Sequence, residues 1–105
     1  MDKDEACAQL SRLSFSGLPS GWVVEQRYDT SVYVSHEESG AHVVVQVWEP
    51  EGNDSTFAVR GMTPTGRKGV SEGNKNTTSG HESLSDAKRV AIQMVNKFDE
   101  LYADK

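Results

Sequence analysis

The stretch Ser83-Leu-Ser-Asp-Ala-Lys-Arg-Val-Ala-Ile-Gln-Met-Val-Asn-Lys-Phe-Asp-Glu-Leu-Tyr102 decides the fold. Ala87, Val90, Ala91, Met94, Val95, Phe98, Leu101 and Tyr102 recur at steps of three and four residues, which places them on one face of an α-helix. Lys88, Arg89, Gln93, Asn96, Lys97, Asp99 and Glu100 fall mostly on the other side. Ser83, three residues before Asp86, marks the start: its hydroxyl takes up an orphan backbone N–H, and the acid lies at the positive end of the helix dipole. A lone helix of this length is marginal in water. Its apolar stripe therefore requires a second layer, which the rest of the chain must supply.

Upstream, the pattern changes from a period near 3.6 to a period of two. Trp22 to Tyr28 is rich in aromatic and β-branched residues, and Ser31 to His36 alternates around Val32, Tyr33 and Val34. Ala41 to Trp48 is the most apolar run, with Val43, Val45 and Val47 on one face and Val44 and Trp48 on the other, so it is expected at the centre of a sheet. Ser55 to Met62 gives a fourth strand with Phe57 and Val59 toward the core. The breaks at Asp29-Thr30, Glu37–Gly40 and Glu49–Asp54 are of hairpin or turn length. Asp2, Asp4 and Glu5 ahead of Ala6, Leu10 and Leu13 read as a short N-terminal helix with acids in its first turn. The expected fold is α+β: a four-stranded antiparallel meander, with a short N-terminal helix and a long C-terminal helix packed on one face, in the order αββββα.

At 105 residues this is one domain, large enough to bury a core without a covalent staple. The single cysteine, Cys7, forms no intrachain disulfide, and there is no Cys/His spacing of a zinc finger. A first segment reading Met-Asp-Lys-Asp-Glu, with no long apolar run, disfavours export and membrane spanning, so a cytoplasmic protein is expected. A formal charge of −5 opposes nonspecific attachment to nucleic acid or anionic membrane.

Between Gly61 and Gly80 no hydrophobic period is usable, and residues 63–80 are expected as a long flexible loop. Arg60, Arg67, Lys68 and Lys75 against Glu72 leave residues 60–80 at +3, so with a total of −5 the remainder carries −8. Glycines that let the backbone approach a ligand, hydroxyls and these four cations together suit a phosphate or a nucleic-acid backbone. Neither a Walker pattern nor a dinucleotide fingerprint is present. The order helix, sheet, loop, helix, with Ala87-Lys88-Arg89-Val90-Ala91, resembles the double-stranded-RNA-binding domain and its Ala-Lys-x-x-Ala at the start of the second helix. Where that family opens the last helix with phosphate-gripping basic residues, this chain has Leu84, Ser85 and Asp86, and a carboxylate there repels the backbone. The hairpin, loop and Ser-Asp-Ala helix are similar to the small HicB-like antitoxin domains.

Three histidines are open to acid–base or metal chemistry. His36 beside Glu37 and Glu38 is expected exposed, His42 partly buried as a pairing residue, and His81 ahead of the last helix. Nothing in their spacing joins them to Cys7 or to one another, so no catalytic residue, metal or cofactor is expected. Trp22, Tyr33 and Trp48 are the candidates for an aromatic partner surface on the outer sheet face. The expected function is that of a small noncatalytic interaction protein, binding a protein partner or a second copy through its sheet. The alternative is nucleic-acid or phosphate binding through residues 60–80.

Overall fold

A computed structural model describes residues 1–49, 55–64 and 71–103. Helix α1 spans Lys3–Ser11, capped by Asp2, whose carboxylate accepts from the Glu5 N–H at 2.8 Å. Five strands follow: β1 (Trp22–Arg27), β2 (Ser31–His36), β3 (His42–Trp48), β4 (Thr56–Pro64) and β5 (Ser71–His81). Helix α2 spans Leu84–Phe98 and loosens into a π-helical turn over Asp99–Ala103. At its start the Ser83 hydroxyl accepts from the Asp86 N–H at 3.1 Å, the cap that the sequence implies.

The strands lie in the order β1-β2-β3-β4-β5, each antiparallel to the next. The meander, the central β3 and the flanking helices match the expected architecture, but the sheet has five strands rather than four. The difference is β5. Residues 71–81, of which 71–80 fall in the expected flexible loop, pair along β4, from Pro64 opposite Ser71 to Phe57 opposite His81. Their sequence carries no apolar alternation, and the strand is defined by its backbone ladder with β4.

One sheet face carries Val32, Val34, Val43, Val45, Phe57 and Val59. It is closed by Ala87, Ala91, Val95 and Phe98 of α2 and by Ala6 and Leu10 of α1. Burying each of these larger side chains contributes roughly 1.5–3 kcal/mol. Gly61 allows the closest approach: a Cβ there would lie 2.8 Å from Phe98 Cζ and 3.3 Å from Met94 Sδ. Trp22 joins the same core, 5 % exposed, and its indole N–H donates to Asp99 Oδ1 at 3.0 Å, tying the end of α2 to the edge strand β1. Among the described residues no helix is long and apolar enough to cross a membrane.

Candidate functional site

The period of two that sends Val43 and Val45 inward sends Val44 and its neighbours to the face that no helix covers. Register places one row across all five strands there, Gln26, Tyr33, Val44, Arg60 and Thr77. Val44 is fully buried although it lies outside the helix-covered core, and its neighbours in the row, Tyr33 and Arg60, are half-buried. A second row holds Val23, Ser35, His42, Met62 and Asn74. Trp48, 41 % exposed, stands at the far end of β3 opposite Thr56.

Arg60 is the exceptional residue of this face. Its Nε is buried without a hydrogen-bond partner, and the guanidinium has no ion pair among the described residues. An unsatisfied buried charged donor is expensive, on the order of 1–3 kcal/mol or more. The terminal guanidinium nitrogens are where an acceptor from another molecule can engage the side chain.

An aromatic chain runs beside it. Tyr28 and Tyr33 meet edge to face at 5.7 Å, and Tyr33 meets the His42 ring at 6.5 Å. His42 Nε2 lies 3.0 Å from Glu25 Oε2, while Nδ1 faces the Gly40 carbonyl at 2.7 Å. Both ring nitrogens thus face acceptors, and the two contacts fix the ring. The partner of His42 was not legible in the sequence. Glu25 sits where the β1–β2 register slips between Val24 and Gln26, and that bulge turns it toward a residue 17 positions away.

Of the residues proposed from sequence as a partner surface, Tyr33 and Trp48 lie on the outer face. Trp22 does not, because its ring fills the core and its N–H is taken by Asp99. Of the four proposed cations, Arg60 lies in the outer row. Lys75 belongs to β5 at a slip in register with β4, between Asn74 and Asn76. Arg67 and Lys68 lie outside the described residues. His36 corrects another expectation: it is 5 % exposed rather than exposed, tilted against Trp22 at 5.4 Å, and its Nδ1 accepts from the Ser39 N–H at 3.1 Å. His81 Nε2 lies 2.7 Å from the Thr78 hydroxyl.

Clefts also mark the surface. One of about 710 Å³ lies between α1 and the β1–β2 turn, and Lys3, Cys7 and Arg27 are among its lining residues. Another of about 450 Å³ separates α2 from β5, and a smaller one of about 270 Å³ is lined by Glu25, His36, Glu37 and His42 among others. Among the described residues no three His, Cys, Asp or Glu side chains come together as a metal-binding group.

Together these features define an α+β domain with a meander sheet covered on one face and open on the other. No protein-family model, curated protein or solved structure matches the chain.

Proposed function

We propose that the protein is a noncatalytic interaction domain that engages another protein chain through the outer face of its sheet. The observation that supports this reading most is the row Tyr33–Val44–Arg60, where a guanidinium with an unsatisfied buried Nε and no ion pair among the described residues lies on a helix-free face that also carries the exposed Trp48. Tyr, Trp and Arg are the side chains that dominate protein–protein binding energy, and an acceptor from the partner can pair with a guanidinium that has no ion pair among the described residues. The partner is either a second copy or a different protein with an acidic or carbonyl-rich patch.

The test compares the wild type with a Trp48→Ala/Arg60→Ala double variant. Sedimentation velocity over a concentration series reads self-association, and immobilised protein in lysate of the source cells reads a separate partner. The reading predicts that one of the two is seen and weakens about thirtyfold or more in the variant, the scale of a hot spot. A strict monomer that retains nothing, or an interaction indifferent to both substitutions, contradicts it.

A second reading, nucleic-acid or phosphate binding, rests on Arg60 and Tyr33 sharing one row of the outer face, on either side of Val44, since a cation and an aromatic ring on one surface suit a phosphate and a stacked base. Its signature is oligonucleotide affinity that falls with salt through counterion release. No oligonucleotide bound at low salt, or binding unchanged by Arg60→Ala, removes it.

A further inference from the structure

We propose that the groove between β5 and α2 takes an extended peptide as a sixth strand, with an apolar side chain of the peptide in the groove and a carboxylate at Lys97. This site lies on the helix-covered side of the sheet and goes beyond the outer-face reading.

The groove follows from how the layers are offset. Helix α2 packs over β3 and β4, so β5 overhangs it and leaves a cleft of about 450 Å³. Val90, Met94 and Phe98, spaced four residues apart on α2, form its apolar wall, and Thr78 lies on the strand side. Met94 is an unbranched side chain that adapts to differently shaped neighbours. Among the described residues Lys97 is the one charged group lining the cleft. It is exposed and has no ion pair among the described residues.

The occupant is set by two chemistries. As the last strand in the order, β5 presents backbone donors and acceptors on its free edge, and the partner that satisfies a row of them is another extended backbone. An added strand directs alternate side chains to the helix side, so one of them enters the groove. Lys97 at the rim selects a carboxylate. Met94 and Lys97 are separated by about 4.5 Å of helix rise, and two residues of strand advance about 6.6 Å, so an acid two positions from the apolar anchor falls within reach of the lysine. A second copy of this chain fits less well. Its own β5 offers Thr77-Thr78-Ser79-Gly80, with no large apolar side chain for the groove. Its other edge, β1, is bent at Glu25 and commits Trp22 and Val24 to the core.

The experiment is a ¹⁵N-resolved NMR titration of the full chain with a pool of C-terminally amidated hexapeptides. Each carries Leu, Ile, Val or Phe at position three, Asp or Glu at position five, and Thr or Ser elsewhere. The expected result is shifts in Thr77–His81 and Val90–Phe98, with Tyr33, Val44 and Trp48 unmoved, lost when the peptide backbone is N-methylated. Lys97→Glu, a change at an exposed position, should weaken acidic peptides about tenfold and favour the pool with Lys at position five. A pool without the side-chain acid but with a free C-terminus distinguishes a terminal from a side-chain carboxylate. Shifts confined to the outer face, no shifts at millimolar peptide, or a Lys97→Glu variant with unchanged preference overturns the proposal. Shifts confined to the outer face overturn this site while favouring the outer-face reading, and the other outcomes leave Trp48 and Arg60 untouched, so the two readings fail independently.

Discussion

At the scale of the residue, two glycines show how different physical demands produce the same letter. Gly61 has an ordinary backbone, and its requirement is space, since a Cβ there meets the Phe98 ring at 2.8 Å. Gly80 has open space around it, and its requirement is the dihedral, with φ at +77° where the β4–β5 register slips between Phe57 and Val59. Gly61→Ala is therefore expected to destabilise by about 1–3 kcal/mol in urea unfolding, and by less in a Phe98→Leu background, where the ring edge is gone. Gly80→Ala should cost about 1 kcal/mol, with no relief from Phe98→Leu. Equal behaviour of the two in both backgrounds contradicts this separation of causes. Trp22→Phe keeps the core filled but leaves Asp99 without its indole donor, and should cost about 0.5–1.5 kcal/mol by the same measurement. A neutral Trp22→Phe variant contradicts the tie between β1 and the end of α2.

At the scale of the element, what was legible in the sequence is what burial writes into it. Helix α2 was readable because Ala87, Ala91, Val95 and Phe98 are all buried at helical spacing, and β3 because Val43 and Val45 face the helices while Val44 is buried on the other side. Strand β5 was not readable. It is an edge strand that α2 touches only at its margin, so the helix imposes no apolar period on it, and Ser-Glu-Gly-Asn-Lys-Asn-Thr-Thr-Ser-Gly-His keeps the composition of a loop. The same reasoning explains the site. Tyr33, Trp48 and Arg60 could be named from residue type, but the register that sets Tyr33 beside Val44 and Arg60 depends on long-range pairing. Trp22 was assigned to the surface because an aromatic residue at a strand start looks alike whether it faces a core or a partner. The prediction at this scale concerns β5: ¹³Cα and ¹³Cβ secondary shifts over Ser71–His81 should be those of extended backbone. Random-coil values across the segment contradict a fifth strand. Ser83→Ala, which removes the α2 cap, should lower stability by about 1 kcal/mol, and an unchanged urea midpoint contradicts the capping role.

At the scale of the whole molecule, two helices on one face of a five-stranded sheet produce an asymmetry on which the functional reading depends. The covered face supplies the stability: Phe57, Phe98, Leu10 and the inner valines are all buried there. The uncovered face is free of that duty except at Val44 and Ala58, which leaves Tyr33, Trp48 and Arg60 available for another chain. The offset of α2 from β5 opens the separate groove at the sheet's edge. The most direct test of the asymmetry is solvent paramagnetic relaxation of side-chain NMR signals by a soluble gadolinium chelate, read at dilute protein concentration. The Val23 methyls and the Trp48 indole should relax strongly, while the methyls of Val34, Val43, Val45 and Val59 stay protected. Relaxation of Val43 and Val45 equal to that of Val23 would show the helices do not cover this face, and the account would be wrong.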